Sequence, residues 1–251
     1  METILSVKNE RVKQWKKLQT RKGREKAKRY LIEGFHLVEE AIHYDALIVE
    51  LLISEEHEDL AFKYPLDKQV MISKEIANQL SETPTTQGVF AVISLEKNQA
   101  TPTFTKPFLC LDTVQDPGNL GTMIRTADAA GFGGVVLGSG TVDMYNSKVL
   151  RSMQGSHFHL PIFEGDLTEW FETFKQQNVP IYGTELNEAA VSYTSIPKTD
   201  AFAIVMGNEG NGMQDDLLAK TTKNLYIPIT GKAESLNVAV AAGILMFTLK
   251  K

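Results

Sequence analysis

The sequence predicts an α/β protein in two parts, a small α/β domain followed by a larger, mostly parallel sheet with helices on both faces. Three observations carry this. From Phe108 onward, short apolar runs alternate with segments of helical spacing, the pattern of a parallel sheet buried on both sides. Residues 95–107 lack periodicity and hold two prolines, which marks a linker. Before them, a shorter series of strand and helix signals opens on a basic helix. The expected domains are residues 1–95 and 107–251, joined by a linker at 96–106.

In the first part, residues 6–21 suit a helix rich in Lys and Arg. Tyr30 to Glu33 reads as a short strand and Gly34 as a turn. Apolar residues at 35, 37, 38, 41 and 42 predict a helix to Tyr44. Ile48 to Ile53 and Val70 to Ile72 are strands, Lys74 to Leu80 a helix, and Gly88 to Ile93 a closing strand. In the second part, strands are expected at 108–111, 135–137, 160–163, 180–182, 202–206 and 224–229. Helices fit at about 120–130, 146–154, 167–177, 213–220 and 235–249.

Composition narrows the class. The hydrophobic share of 43% is ordinary for a globular protein. With no apolar run of 18 residues a membrane span is not expected, and the N-terminus has no apolar core of a secretory signal. Cys110 is the single cysteine, which excludes an intrachain disulfide or a cysteine zinc site. These features predict a cytoplasmic protein. The net charge of −5 conceals an asymmetry: residues 8–29 hold eleven Lys/Arg against two Glu, +9, which leaves −14 elsewhere. A basic arm on an acidic body predicts contact with a polyanion, with Lys13, Lys16, Lys17, Arg21, Lys22 and Arg24 as candidate contacts. Trp15, Tyr30 and Phe35 are near enough to offer stacking surface, though two of them equally suit a core.

Common cofactor motifs are missing. The glycines at 131–140 do not complete G-x-G-x-x-G, Thr230 to Ala233 is not a P-loop, and no G-x-S-x-G elbow occurs. His157 and His159 fall on one face of a strand-like stretch, and such a pair without a carboxylate more often packs or hydrogen-bonds than binds metal, so no metal is expected.

Three segments remain, each where a strand gives way to a loop or helix, the place where open α/β sheets bind ligands. In the first, Asp116-Pro117-Gly118 makes a turn and Asn119 falls where a helix N-cap belongs. Arg125 follows on a largely apolar helix, where an anionic partner is required: a phosphate, or an internal pair with Asp112 or Asp128. The second, Gly207-Asn208-Glu209-Gly210, surrounds one carboxylate with glycine at a strand end. In the third, Ile227 to Val238, Ser235 reads as an N-cap and Asn237 as part of the first helical turn. The helix after it is apolar all round and rich in Ala and Gly, which predicts burial in the core or at a subunit interface.

Taken together, Asn119-x5-Arg125, Gly207-Asn-Glu209-Gly and Ile227-Pro-Ile-x5-Ser235-Leu-Asn237 resemble the SpoU (TrmH-like) branch of the SPOUT RNA methyltransferases. The resemblance covers roughly residues 107–251, with no departure at the motif positions. The first part, through its basic helix and Tyr30-Leu-Ile-Glu-Gly34, resembles the ribosomal-protein-like α/β sandwich that often precedes this domain. The resemblance implies a C-terminal trefoil knot, which no hydrophobic pattern announces. It implies S-adenosylmethionine as methyl donor, held around Thr184, Gly207, Ile227 and Leu236. It implies a homodimer and a ribose 2′-hydroxyl acceptor, in ribosomal RNA rather than transfer RNA. Arg125, Asn119, Glu209, Ser235 and Asn237 match the family's catalytic positions. The alternatives are methylation of a base nitrogen within the same superfamily, or a non-catalytic RNA-binding or ribosome-assembly factor.

Overall fold

The structure is a computed structural model that describes residues 1–59, 68–95, 101–185 and 189–251. Residues 96–100 of the expected linker lie outside the described residues. Two units are distinguished: residues Met1–Gln99 with Tyr145–Phe158, and Ala100–Met144 with His159–Lys251.

The first unit is built on a mixed five-stranded sheet in the order β1-β4-β3-β5-β2. The strands are β1 (Glu2–Ile4), β2 (Arg29–Glu33), β3 (Ile48–Ser54), β4 (Gln69–Ile72) and β5 (Val89–Ser94). β4 runs parallel to β1 and β3, whereas β5 is antiparallel to β2 and β3. Leu51, Leu52 and Ile53 of central β3 have no exposed surface, as expected of a strand covered on both faces. Helices α1 (Glu10–Lys17), α3 (Phe35–His43) and α4 (Lys74–Leu80) pack on this sheet, and Val12, Trp15, Ile76 and Leu80 share one core with Leu52 and Phe90. Helix α6 (Ser147–Met153), from much later in the chain, belongs to this unit.

The single basic helix expected over 6–21 is instead two, α1 and α2 (Arg21–Ala27). Thr20 begins the second by accepting the Gly23 N–H. A Cβ at Gly23 would stand 1.9 Å from the Lys17 carbonyl oxygen, so glycine permits the close approach of the two helices. The segment is also no detachable arm. Trp15 is buried, and its indole N–H donates to Glu50 Oε2 at 2.6 Å. Tyr30 is buried as well, while Phe35 is partly exposed and meets the His57 ring edge-on.

The second unit is an all-parallel seven-stranded sheet in the order β10-β12-β9-β11-β6-β7-β8. Its strands are β6 (Phe108–Leu111), β7 (Gly134–Gly138), β8 (Ile162–Gly165), β9 (Ile181–Thr184), β10 (Val191–Ser192), β11 (Ala203–Met206) and β12 (Lys223–Tyr226). Around it lie α5 (Pro117–Ala129), α7 (Leu167–Gln176), the single turn α8 (Asp215–Leu218) and α9 (Val238–Leu249). Central β6 and β11 are wholly buried, and Phe108, Phe171 and Phe174 fill one face of the core. The chain leaves β6 toward β7 and β8, then returns to β6's other side through β9 to β12. The reversal falls between β6 and β11, and a crevice at such a switch point is where open α/β sheets take ligands.

Several expected boundaries move for local reasons. The strand expected at 224–229 ends at Tyr226, before Pro228, which has no N–H for a ladder. The strand expected at 160–163 begins at Ile162, after Pro161. His157 and His159 do not share a strand face: His157 lies in a 3₁₀ turn and meets the Tyr30 hydroxyl, and His159 meets Asp128. Helix α9 is not buried all round. Ala239, Ala242, Leu245, Met246 and Leu249 face inward, with α5 as the main packing partner, but Val240 is 52% and Phe247 59% exposed.

Candidate active site

The loops after β6 and β11 converge at the switch point. Asp116 ends the first loop and caps α5, its carboxylate accepting the Asn119 N–H at 2.8 Å, with Pro117 at the first helical position. The expected cap, Asn119, is therefore one turn inside the helix, and its side chain is released for another use. The second loop carries Glu209. Its Oε1 accepts from the Asp116 N–H at 3.0 Å and from Asn119 Nδ2 at 3.1 Å, and its Oε2 from the Gln115 N–H at 3.1 Å. Asn237 joins from a third segment, donating from Nδ2 to Asn119 Oδ1 at 2.9 Å. Glu209 and Asn237, 90 and 118 residues away from Asn119 in sequence, thus meet at its amide.

Asn237, not Ser235, caps the last helix: its Oδ1 accepts the Ala239 and Val240 N–H groups. The helix starts at Val238, so Ser235 lies in the loop before it, exposed and without a hydrogen bond among the described residues. Arg125 is exposed on α5 and makes no hydrogen bond or ion pair among the described residues. The internal pair with Asp112 or Asp128 does not form: Asp112 holds Gln214, and Asp128 holds His159. Glu209 holds the first loop and Asn119 rather than Arg125.

These contacts set the charge state of Glu209. Burial raises its carboxyl pKa, but the Asn119 amide and the backbone N–H groups of Gln115 and Asp116 outweigh that, and the net shift is downward. The carboxylate is ionised throughout the neutral range.

Thr184 and Gly207 close the neighbouring strands β9 and β11, and Ile227 follows β12, so all three lie at the C-terminal edge of adjacent parallel strands. The Thr184 hydroxyl donates to the Val205 carbonyl at 2.9 Å. Gly207 is buried against the backbone of Gly212 and Met213. Leu236 stands apart, 38% exposed, in a loop whose residues 228–237 are all exposed. No backbone N–H from Ile227 to Leu236 has a hydrogen-bond partner among the described residues. A stretch of unpaired amides flanked by Ile227, Ile229 and Leu236 suits a ligand that needs both backbone hydrogen bonds and apolar cover, as an adenosine does.

In the first unit, Lys13, Lys16, Lys17, Arg21 and Lys22 are exposed on α1 and α2. Arg24 departs from them: it is 6% exposed and donates to the Leu18 carbonyl at 2.8 Å, closing the turn between the two helices. Sequence reasoning gave Asp112 only as a candidate partner of Arg125 and Asn208 only as part of the second segment, and it did not single out Thr113, Gln115 or Gln214. Asn208 donates to the Thr113 carbonyl at 2.8 Å, and Gln115 bridges to the Gly140 carbonyl at 2.8 Å. The one signal available was a carboxylate, Asp112, directly after an apolar strand.

The chain is similar to known proteins along its length. Residues 106–247 match the SpoU rRNA Methylase family, and residues 9–91 match the MRM3-like substrate binding domain. The 23S rRNA (guanosine(2553)-2′-O)-methyltransferase RlmP of Bacillus subtilis is 47% identical over the whole of both chains. A crystal structure of an AdoMet-bound rRNA methyltransferase from Sinorhizobium meliloti is 30% identical, with a TM-score of 0.87 over 99% of this chain and 97% of that one. The SpoU methyltransferase AviRb from Streptomyces viridochromogenes, in complex with AdoMet, is 25% identical, with a TM-score of 0.85 over 96% and 97% of the chains.

Proposed function

Since the chain belongs to the SpoU rRNA methylase family, we propose that it methylates the ribose 2′-hydroxyl of a guanosine in 23S ribosomal RNA, with S-adenosylmethionine as donor. The observation that carries this is full-length similarity to the Bacillus enzyme together with the meeting of Asn119, Glu209 and Asn237 at one amide. The same nucleotide is the proposed target. The cytoplasm is the proposed compartment.

When bound, S-adenosylmethionine supplies a methyl group on a cationic sulfur. Thr184, Gly207, Ile227 and Leu236 are the residues proposed to hold it, through the strand-end backbone and apolar side chains described above. The chain's own task is the acceptor. A ribose hydroxyl is a weak nucleophile at neutral pH and must be aimed and made more acidic. A guanidinium is a cation in its ordinary form and has no lone pair free to accept a proton. Arg125 is therefore assigned to positioning the hydroxyl and stabilising negative charge on its oxygen. Asn119, with its Oδ1 toward Asn237 and its Nδ2 toward Glu209, has a fixed orientation and keeps one N–H and one lone pair for the ribose or for Arg125. Glu209 fixes Asn119, and the free hydroxyl of Ser235 lines the same approach. Alignment of two bound reactants supplies a large part of the acceleration.

RNA is proposed to bind on the exposed face of α1 and α2 through Lys13, Lys16, Lys17, Arg21 and Lys22, contacts that position rather than read sequence. A homodimer is also proposed. Val240 and Phe247 stand exposed seven residues apart around half-buried Gly243 and Ile244, an apolar face of α9 with small-residue access.

The test is incubation of purified protein with methyl-labelled S-adenosylmethionine and unmodified 23S rRNA, followed by alkaline hydrolysis. Label in alkali-resistant dinucleotides is expected, because a methylated 2′-oxygen cannot attack its phosphate. Label in alkali-sensitive nucleotides would mean base methylation. Absence of label would mean a binding factor.

A further inference from the structure

We propose that Asp112 is a positioning residue for the acceptor side of the site, acting through Gln214. The proposal rests on the methyltransferase reading above.

Asp112 is a carboxylate with 1% of its surface exposed. A buried carboxylate is tolerated where its oxygens are hydrogen-bonded, and here one residue satisfies both. Oδ2 accepts the Gln214 N–H at 2.8 Å, and Oδ1 accepts from Gln214 Nε2 at 2.6 Å. Two donors converge on one group, so two acceptor oxygens are required, and an amide in place of Asp112 would offer only one.

The grip lies between residues 102 positions apart and fixes the far end of the loop that carries Glu209. The near end is fixed by the Asp112 N–H on the Met206 carbonyl at 2.9 Å. Between them, Asn208 Nδ2 reaches the Thr113 carbonyl, and Asn208 Oδ1 accepts the N–H groups of Gly210 and Asn211. Thr113 takes a left-handed backbone, φ +55°, uncommon for a β-branched residue, and its hydroxyl donates to the Asp112 carbonyl at 2.8 Å. That turn brings the Gln115 and Asp116 N–H groups onto Glu209. The contacts form a ladder from a buried rung, Asp112–Gln214, to an exposed one, Glu209–Asn119–Asn237. Among the described residues Asp112 makes no hydrogen bond to Asn119, Arg125, Glu209 or Ser235. Its effect on them runs through the register of the two loops, and a shift of about 1 Å in a reacting group can cost roughly 100-fold in rate.

Two single variants and a transposed pair test this. Asp112→Leu removes both acceptors from the Gln214 N–H and Nε2. Gln214→Glu sets two carboxylates face to face. The double variant Asp112→Asn/Gln214→Glu again offers an acceptor to the residue 214 N–H and a donor to its side chain. Full-length proteins would be compared in kcat and KM for 23S rRNA, in Kd for S-adenosylmethionine by calorimetry, and in melting temperature. Each single variant is expected to lose about 10- to 100-fold in kcat while remaining folded at the assay temperature, and the double variant to regain most of it. Wild-type kcat in both single variants would overturn the proposal, as would a folded double variant no better than either single one. If the single variants do not fold, the kcat of the double variant decides in the same two directions. Wild-type protein that transfers no methyl group to ribose would instead sink the underlying functional reading.

Discussion

Replacement of Gly207 by alanine tests the loop geometry most directly. The added methyl would stand 2.2 Å from the Gly212 carbonyl carbon, 2.3 Å from the Met213 nitrogen and 2.5 Å from the Gly212 oxygen. Non-bonded carbons rest about 3.5–4.0 Å apart, and all three obstacles are backbone, so no side chain can swing away. The opposing strand of the loop must retreat by roughly 1 Å, since ordinary contact begins near 3.5 Å. Such a retreat stretches the reciprocal Asn208–Gly212 backbone bonds, each 2.9 Å, toward lengths at which hydrogen bonds fail. Overpacking costs about 1–3 kcal/mol and each lost bond about 1 kcal/mol, roughly 3–5 kcal/mol together. Displacement of Glu209 with its loop is expected to lower kcat/KM about 100-fold. Gly210→Ala is the internal control. Its methyl would meet only Asn208 Oδ1 at 3.6 Å, an ordinary contact, and its expected cost is about 0.5 kcal/mol or less. Methyl transfer to 23S rRNA, titration of S-adenosylmethionine and thermal melting of both variants provide the measurement. Wild-type kcat/KM in Gly207→Ala, or equal losses in the two variants, would show that the Gly207 loop does not set the geometry of Glu209.

Arg125→Ala should abolish methyl transfer and leave S-adenosylmethionine affinity and melting temperature near wild type, because the side chain is exposed and has no partner among the described residues. Activity retained by that variant would remove Arg125 from the mechanism. Changing Lys13, Lys16 and Lys17 together to Gln should weaken RNA binding and flatten its dependence on salt, by a slope of up to about 0.9 per lost phosphate contact on a duplex; Arg24→Ala should instead destabilise the fold, by about 1–3 kcal/mol, because its guanidinium holds the Leu18 carbonyl. The Glu209 carboxyl should titrate below the usual value near 4.3, so its grip on Asn119 is complete above that value and is lost as pH falls through the depressed one. Carbon NMR of the side chain reads this directly, and Asn119→Ala should move the midpoint upward. Phe247→Glu, on the exposed face of α9, should yield monomers in sedimentation velocity if that face joins two copies of the chain, and an unchanged sedimentation coefficient would exclude it.

Most of the secondary structure was legible in the sequence because its signals are local. The run Phe108 to Leu111 is a buried strand whichever neighbours it finds, and the spacing of Phe35 to Ile42 is helical before any sheet exists. The two prolines that moved the start of β8 and the end of β12 were equally visible, and their missing N–H groups explain the shift. Caps were legible only as types of residue. Asp116, Asn119, Ser235 and Asn237 are all competent N-caps by chemistry, and the backbone decided which of each pair serves. With Asp116 on α5 the Asn119 side chain is released, and with Asn237 capping α9 the Ser235 hydroxyl is left free.

The parallel α/β sheet, the α/β domain before it, the family and the three segments of the proposed site were readable from the sequence, because each is signalled by residues close together in the chain or by short motifs in a fixed order. Folding was needed to show that Asn119 is held between Glu209 and Asn237, that Arg24 is a structural residue among surface cations, and that Asp112 grips Gln214. Apart from Arg24 and Leu18, six residues from one another, those contacts join groups that no local pattern relates. Hydrogen bonds between residues about a hundred positions apart form only where strand order has already brought their loops together.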